Sequence, residues 1–337
     1  MFIIASIGPS SMNRYTLEEI INSGAHTLRL NFSHNRCDDF KFVVDTARQI
    51  SNDIHIMQDL CGSKIRVSKK LLKTFKVYKG QKVVFCSEEN YKNNNSSNEK
   101  EVIIPITVSQ EKLIKIDNKF ITMKDNTMIF NVDSIEKGNI LCTTKKGGVI
   151  RADKGCNIKN IDRNSMCLSQ KDKEDIKWGY KNKVDIISQS YVESAEDIEN
   201  LRKYTKNFEN FNPKIYAKIE TKKGIINILD IANACDGIII ARGDLLPETS
   251  LYEVPFYEDY VVRKLIDKKI NLIFATHVLD SMIKEPSPNL SEIESIYNII
   301  KSRVDGILLA GETSVGKYPG KSVKILKTLI NKYQNEK

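Results

Sequence analysis

The sequence predicts an α/β protein built as a (β/α)8 barrel, with a small all-β lid domain inserted after barrel strand 3. Eight short runs rich in Ile, Val and Leu recur along the chain, and segments with helical spacing lie between most of them. One long gap, from about Val67 to Lys154, interrupts the series. Continuous apolar runs are typical of buried parallel strands, and their alternation with helices favours a parallel sheet.

The strand–helix repeats also predict where an active site would lie. The eight apolar runs that we assign to barrel strands cover residues 2–7, 27–32, 54–59, 185–190, 214–219, 237–241, 272–276 and 306–310. The clearest helical segments between them are residues 16–21, 194–198 and 222–234. Because eight such repeats are typical of the TIM barrel, the active site is expected at the carboxyl ends of the strands.

The long gap contains short alternating segments and turn signals but no convincing helix. Its clearest strands are residues 82–85, 102–106 and 127–132. We therefore predict a β-barrel-like lid domain over residues 68–154, between barrel segments 1–67 and 155–337. Its placement at the active-site end suits a mobile lid. A purely structural insertion is the alternative.

Composition and charge exclude several classes of protein. With 41% hydrophobic and 28% charged residues, the chain is ordinary for a soluble globular protein, and its first residues do not resemble a signal peptide. No apolar stretch approaches the roughly 20 residues of a membrane helix, so a cytoplasmic protein without membrane contact is expected. The net charge of +9 is spread along the chain without a nucleic-acid-binding motif, which favours a polyanionic small-molecule substrate over nucleic acid.

Polar side chains gather at the ends of the predicted second and third strands. Strand alternation places Arg29, Asn31 and Ser33 on one face, at the barrel mouth. Buried polar groups are costly unless paired, so these residues either line a ligand site or satisfy one another. Asp59 closes the next strand, and a glycine and two cations follow it. This pattern fits a phosphate or metal environment, or a carboxylate that caps a turn.

The strongest chemical pattern involves Lys218, Glu220 and Asp244. The first two share a face of one strand, and Asp244 closes the next strand. Carboxylate oxygens suit Mg²⁺ or Mn²⁺, and a nearby lysine can neutralise charge on a transferring phosphoryl group. A buried structural ion pair is the alternative interpretation.

Residues beside this pattern add to it. Gly243 allows the backbone to approach a ligand, and Pro247 suits the first turn of a helix whose free N–H groups could hold a carboxylate. Thr276, at the end of the seventh strand, supplies a hydroxyl group to the same mouth.

These motifs together resemble those of the pyruvate kinase family, in the family's order and across nearly the whole chain. The resembling segments are residues 6–10, 28–34, 59–66, 154–155, 169–172, 218–220, 241–245, 275–276, 281–283 and 311–313. The resemblance implies phosphoryl transfer between phosphoenolpyruvate and ADP, giving pyruvate and ATP.

The resemblance also implies roles for the candidate residues. Glu220 and Asp244 would hold Mg²⁺ or Mn²⁺, while Lys218 and Arg29 would stabilise the transferring phosphoryl group. Lys218 would thereby also contact the substrate.

For the remaining substrate atoms, the resemblance implies that Thr276 assists protonation of the enol, through water. The backbone N–H groups of Gly243 and Asp244 would receive the substrate carboxylate. The expected nucleotide-binding residues are Asn31, His34, Arg66 and Lys154.

One departure from the family pattern concerns K⁺. The family commonly binds K⁺ near Asn31, Ser33 and Asp59, with a hydroxyl residue in place of Leu60 and an acidic residue in place of Lys64. The ammonium group of Lys64 supplies the same single positive charge. We therefore predict that K⁺ is not required.

A second departure concerns length. The chain ends soon after a helical segment at residues 321–332, so the resemblance predicts a short form without the family's carboxyl-terminal regulatory domain and without its effector control. The oligomeric state is left open, with a homo-oligomer as one option.

Four residues near the site also differ from the family pattern, namely Glu193, Leu246, His277 and Leu290. Two alternatives therefore stand beside the leading hypothesis. One is a divergent barrel enzyme that acts on another enolpyruvate-like substrate in a specialised pathway, and the other is a non-catalytic binding or regulatory protein.

Overall fold

The computed structural model describes residues 1–34, 37–91, 102–123, 126–159, 161–163 and 168–335. The chain divides into two compact units. The first comprises Met1–Ser63, Met166–Leu245 and Leu251–Lys337, and the second comprises Lys64–Ser165 and Leu246–Ser250.

The elements before the insertion begin the first unit. In chain order they are β1 (Phe2–Ile7), α1 (Arg14–Asn22), β2 (Thr27–Asn31), a 3-10 turn (Phe32–His34), α2 (Cys37–Ile50) and β3 (His55–Asp59). Asn13 is the N-cap of helix α1. Its side chain accepts a hydrogen bond from Thr16 N and so satisfies an N–H group that has no partner within the first turn.

The second unit is a β structure with one short helix. Its elements are β4 (Phe75–Val77), β5 (Lys82–Ser87), β6 (Val102–Ile106), α3 (Gln110–Ile114), β7 (Phe120–Met123), β8 (Met128–Glu136), β9 (Asn139–Lys146), β10 (Gly148–Ile150) and β11 (Cys156–Asn157). Six strands form one sheet in the order β11-β7-β8-β9-β5-β6, and β10 pairs with β4. The rings of Phe85 and Phe130 meet edge to face at 5.1 Å in its core.

The prediction of an insertion without a helix was wrong at α3. This helix has only five residues, so it is too short for helical periodicity to be visible in the sequence. The three predicted strands of the insertion are confirmed as β5, β6 and β8.

The remaining elements complete the first unit. They are α4 (Gln170–Lys181), β12 (Ile186–Gln189), α5 (Ala195–Thr205), β13 (Lys214–Ile219), α6 (Lys222–Ile226), α7 (Ile228–Ala234), β14 (Gly237–Ala241), α8 (Arg242–Glu248), α9 (Val254–Leu265), β15 (Asn271–Ala275), a 3-10 turn (Asp280–Ile283), α10 (Leu290–Lys301), β16 (Gly306–Leu309), α11 (Gly311–Ser314) and α12 (Pro319–Asn335). Only the first four residues of α8 belong to the first unit, because the second unit begins again at Leu246. Among the helices that the structure describes, none combines the length and the hydrophobicity of a membrane-spanning segment.

Eight parallel strands of the first unit close into a barrel in the order β1-β16-β15-β14-β13-β12-β3-β2. This confirms the predicted fold, and every predicted barrel strand agrees with the observed one to within a residue at each end. Apolar side chains such as Ile4, Met57 and Ile273 fill the barrel interior. On β13, alternation places Lys214, Tyr216 and Lys218 on the face that points inward.

The helix predicted over residues 222–234 is divided in two. Asn227 lies between α6 and α7, and its side-chain amide donates a hydrogen bond of 2.8 Å to the carbonyl oxygen of Glu193. This contact with a distant loop breaks the helix at a position where the local sequence pattern continues.

Candidate active site

A cavity of about 450 Å³ opens at the carboxyl ends of the barrel strands. Several residues predicted from the sequence line it, namely Arg29, Asn31, Lys218, Glu220, Asp244 and Thr276. The strand ends therefore bring together side chains that are far apart in the sequence, as the barrel fold requires.

Asp59 is the centre of a buried polar cluster beside this cavity. Its Oδ2 atom accepts hydrogen bonds from Arg29, at 3.0 Å from Nε and 2.5 Å from Nη2, and lies 3.3 Å from Lys218 Nζ. Ser188 Oγ donates to Asp59 Oδ1 at 2.6 Å. Burial alone would raise the pKa of Asp59, but the charges of Arg29 and Lys218 outweigh it, and the pKa is lowered. Asp59 is thus a carboxylate that holds both cations.

The ammonium group of Lys218 lies between two carboxylates. Its Nζ atom is 3.3 Å from Asp59 Oδ2 and 3.2 Å from Glu220 Oε1, and it donates a 2.7 Å hydrogen bond to Ser190 Oγ. Burial by itself would lower the pKa of Lys218, but the charges of Asp59 and Glu220 raise it. Lys218 therefore stays charged at neutral pH, with its side chain buried.

Glu220 and Asp244 fit the predicted divalent metal. Both line the cavity, and Tyr191 contacts both, through its N–H to Glu220 Oε2 at 2.7 Å and its hydroxyl to Asp244 Oδ1 at 3.3 Å. No group of three or more His, Cys, Asp or Glu side chains suited to a metal occurs among the described residues. Two carboxylates are nevertheless enough for Mg²⁺, which usually takes its other ligands from water and substrate oxygens.

Thr276 lies directly against Gly243. The Gly243 N–H donates a 2.8 Å hydrogen bond to Thr276 Oγ1, so the structure pairs two of the predicted substrate-binding residues. Thr276 and His277 both have left-handed backbone conformations, with φ of 67° and 52°. Such angles are unfavourable for residues other than glycine, above all for a β-branched threonine, and persist only where the surroundings enforce them.

Arg242 enforces this backbone conformation. Its guanidinium donates to the carbonyl oxygen of Thr276 at 2.9 and 2.6 Å and to that of His277 at 2.8 Å. It also lies 3.6 Å from Glu258. The planar guanidinium of an arginine can donate several hydrogen bonds at once, so Arg242 fixes the backbone at Thr276 and thereby positions its side chain.

Two expectations for this region were wrong. Pro247 is the sixth residue of the seven-residue helix α8, which begins at Arg242, so it does not lie in a first turn. Ser33 does not continue the alternation of β2, because the strand ends at Asn31, whose Oδ1 accepts from Ser33 N at 3.0 Å and starts a turn. Ser33 Oγ instead lies 3.1 Å from Cys61 Sγ.

Leu60 is connected to the site residues on β12 and beyond it through its backbone. Its N–H donates to the Ser188 carbonyl oxygen, and its carbonyl oxygen accepts from Ser190 Oγ, both at 2.9 Å. The second unit contains Lys64, Arg66 and Lys154. Arg66 forms an antiparallel bridge with Gly155, so Arg66 and Lys154 lie on neighbouring segments, and Lys64 packs near Gly155. The side chain of His34 lies outside the described part of the chain.

Sequence reasoning missed the residues that hold this site together, namely Ser6, Ser188, Ser190, Tyr191 and Arg242. Ser6 Oγ accepts a 2.8 Å hydrogen bond from Arg29 Nη1. Ser188 on β12 and Ser190 directly after it did carry a signal, because they alternate with Ile187 and Gln189, and Ser188 is the register partner of Asp59. The roles of Tyr191 and Arg242 depend on contacts between loops and left no comparable pattern.

Fold and site together define a class, the (β/α)8-barrel proteins in which a polar cluster of cations and carboxylates lies at the carboxyl ends of the strands. Within this class, residues 1–323 match the family described as "Pyruvate kinase, barrel domain". The chain belongs to the pyruvate kinase family.

Relatives of known name agree with this assignment. The pyruvate kinase of Sporosarcina psychrophila is 31% identical over 332 residues, which is 96% of this chain and 55% of that protein. The pyruvate kinase of Staphylococcus saprophyticus is 31% identical over 335 residues, 97% of this chain and 56% of the relative. For that of Chlamydia muridarum the values are 31% over 334 residues, 97% and 68%. The chain thus spans little more than half the length of the first two.

Proposed function

We propose that the chain transfers a phosphoryl group from phosphoenolpyruvate to ADP, giving pyruvate and ATP. The observation that carries the proposal is the buried ammonium of Lys218, held between Asp59 and Glu220 at a cavity that Asp244 and Thr276 also line. A fixed, charged donor at such a cavity is suited to charge that develops during phosphoryl transfer.

The chain's own residues divide the work of the reaction. The bond between the enol oxygen and phosphorus breaks while a bond to the terminal phosphate oxygen of ADP forms, and Lys218 and Arg29 stabilise the charge on the phosphoryl group in transit. The enolate left behind takes a proton at carbon, which Thr276 assists. Mg²⁺ or Mn²⁺ bound at Glu220 and Asp244 would neutralise phosphoryl charge.

The remaining predicted contacts belong to the same proposal. Gly243 and Asp244 are the proposed contacts of the substrate carboxylate, which would replace Thr276 Oγ1 as the acceptor of the Gly243 N–H. Asn31, Arg66 and Lys154 are proposed contacts of the nucleotide. A cytoplasmic location is part of the proposal. The expectation about effector control concerns a further domain and stays a prediction.

A coupled assay of pyruvate formation from phosphoenolpyruvate, ADP and Mg²⁺ tests the proposal. Lys218→Met should lower turnover by about 10³-fold, since one charged group at a transferring phosphoryl can contribute that much. The matched control is Lys222→Met, an exposed lysine two residues after Glu220, which should keep wild-type turnover. Circular dichroism would check that both variants are folded. Folded wild-type protein without turnover, or Lys218→Met with wild-type turnover, contradicts the proposal.

The same assay with and without K⁺ tests the role proposed for Lys64. The wild type should be unaffected by K⁺, whereas Lys64→Glu should become dependent on it, because the variant removes a positive charge that K⁺ can then supply. Stimulation of the wild type by K⁺ would remove the basis for this part of the proposal.

The environment of His277 favours a second candidate function, in which the substrate is another enolpyruvate derivative. His277 stands where the family pattern has glutamine, and its Nδ1 lies 2.6 Å from Asp280 Oδ2 while its ring approaches Gly243. This exposed pair could favour a different enolpyruvate derivative. Turnover of such a derivative by protein inactive with phosphoenolpyruvate would support that alternative.

A further inference from the structure

A second and larger cavity lies at the opposite end of the barrel. It measures about 1120 Å³, against about 450 Å³ for the cavity at the carboxyl ends of the strands. Its lining comes from the first residues of the barrel strands, including Phe2, His55, Lys214 and Asn271. Pockets that hold small organic molecules typically measure about 300–1,000 Å³, so this one is large enough.

The floor of this cavity is built by two aromatic rings that lean sideways onto glycines. Phe2 lies over Gly306, its register partner on β16, and Tyr216 lies over Gly237, its partner on β14. A Cβ atom added at Gly306 would be 2.6 Å from the Phe2 ring, and one at Gly237 would be 2.8 Å from the Tyr216 ring. A side chain at either glycine would therefore collide with the neighbouring ring, so the two glycines give the rings the space that they occupy.

One wall is aromatic. The rings of Tyr180 and Phe211 line the cavity with their centroids 5.6 Å apart in an edge-to-face arrangement. Phe208 supports both rings, at 5.0 Å from Tyr180 and 6.2 Å from Phe211. Such a wall presents ring faces and edges that favour contact with another planar ring.

The rim carries an excess of positive charge. Lys181, Lys183 and Lys214 are exposed at the cavity and form no ion pair with any residue that the structure describes. The carboxylates that face them are those of Asp185 and Glu209. Asp185 Oδ2 accepts a 2.7 Å hydrogen bond from Ile56 N, and its Oδ1 lies 4.0 Å from His55 Nδ1, so this carboxylate is directed towards β3 rather than towards the lysines.

Neutral hydrogen-bonding groups complete the lining. His26 Nδ1 accepts a 3.0 Å hydrogen bond from Ile3 N, so in the neutral ring the proton is on Nε2, which can donate. Burial, with the charge of Lys327, lowers the pKa of His26 and keeps it neutral. Tyr216, whose side chain is buried, receives a 2.9 Å hydrogen bond from Asn271 Nδ2.

We propose that this cavity is a binding site for a small organic anion that carries a planar ring. The ring would stack between the wall formed by Tyr180 and Phe211 and the Phe2 and Tyr216 rings of the floor, and the anionic group would contact the lysines of the rim. The anion could be a phosphate ester or a carboxylate, since both satisfy the same lysines. The site is independent of the proposed phosphoryl transfer.

Ligand-observed NMR titrations of the 337-residue protein with four probes test the proposal. Phenyl phosphate and benzoate each combine a ring with an anion, whereas inorganic phosphate lacks the ring and benzyl alcohol lacks the charge. At least one of the first two should bind with a Kd of about 1 mM or tighter, as expected for ligands of this size. The other two should bind about tenfold more weakly or worse. A preference for phenyl phosphate or for benzoate identifies the anion.

Substitutions of lining residues test whether the probes bind in this cavity. Lys181→Gln with Lys214→Gln should weaken binding about tenfold, and Phe211→Ala about fivefold. The control is Lys177→Gln with Lys203→Gln, which removes two exposed lysines from the neighbouring helices α4 and α5 without touching the cavity and should leave the Kd unchanged.

Lys218→Met separates this site from the cavity at the carboxyl ends of the strands, and it should leave binding of the ring-bearing anion intact. The proposal is overturned if neither ring-bearing anion binds, if the ring or the charge makes no difference, or if the Lys181, Lys214 and Phe211 variants bind as the wild type does. Loss of binding in Lys218→Met alone also overturns it, because the ligand would then occupy the other cavity.

Discussion

Replacing Asp59 by asparagine should destabilise the barrel far more than the loss of an ordinary ion pair. The substitution keeps the size and shape of the side chain and removes only its charge. Arg29 Nη2 lies 2.5 Å and Lys218 Nζ lies 3.3 Å from Asp59 Oδ2, and Asp59 is only 1% exposed to solvent. The variant thus removes the carboxylate that Arg29, which is partly buried, and Lys218, which is buried, both contact, and it leaves Lys218 paired with Glu220.

The expected loss in free energy of unfolding follows from this arrangement. Removing one partner of a buried ion pair costs about 3–5 kcal/mol, because the other charge stays buried without compensation. Glu220 still compensates Lys218, so the lower end, about 3 kcal/mol, is expected for Asp59→Asn. The control is Asp45→Asn, which breaks an exposed pair with Lys41 of 2.6 Å and should cost less than about 1 kcal/mol.

Urea unfolding followed by circular dichroism measures both variants. Because the folded-state pKa of Asp59 is lowered, the stability that its charge contributes is present above the ordinary aspartate pKa and is lost as the pH falls through the folded-state value. The difference between the wild type and Asp59→Asn should therefore be full at neutral pH and shrink on acidification. Equal losses for Asp59→Asn and Asp45→Asn at neutral pH would refute the reasoning.

Two further variants test separate parts of the site and its support. Arg242→Met removes three hydrogen bonds to the carbonyl oxygens of Thr276 and His277 and leaves Glu258 without its cation. It should lower the free energy of unfolding by about 3 kcal/mol and also reduce turnover; unchanged turnover in stable protein would show that Arg242 does not position Thr276. Asp175→Asn should act in the opposite direction, because burial raises the pKa of Asp175 to about 6. The wild type then loses about 3 kcal/mol of stability as the pH rises from the ordinary aspartate value to about 6. Because the variant also weakens the 2.5 Å hydrogen bond that Lys171 Nζ donates to Asp175, a net gain of about 1–2 kcal/mol is expected at neutral pH. Urea unfolding should show no such gain in acid, and a gain that is independent of pH would argue against the ionisation of Asp175 as its cause.

Most of the barrel could be predicted from sequence because its strands are buried on both sides and read as continuous apolar runs. What could not be predicted depends on contacts between distant segments. The break between α6 and α7 follows from the bond between Asn227 and the Glu193 carbonyl, and helix α3 is too short to show a period. Neither feature leaves a pattern in the local sequence.

The candidate site shows the same division. Alternation along a strand suffices to place Lys218 and Glu220 together, and the barrel order brings Asp244 beside them. The left-handed backbone of Thr276 was not predictable, since threonine disfavours it and the Arg242 guanidinium that enforces it comes from the preceding strand–helix connection. Ser33 shows the limit of this reasoning, because alternation was extended two residues beyond the end of β2, into a 3-10 turn.

The two left-handed residues Thr276 and His277 have a consequence for engineering. Each carries about 1–3 kcal/mol of backbone strain, so a library selected for heat resistance alone should enrich glycine or asparagine at both positions. At position 277, glycine or asparagine should raise thermal stability without removing a group proposed to act in the reaction. At position 276 the same selection would discard the hydroxyl group proposed to act on the enol, and thermal robustness and turnover would evolve against each other.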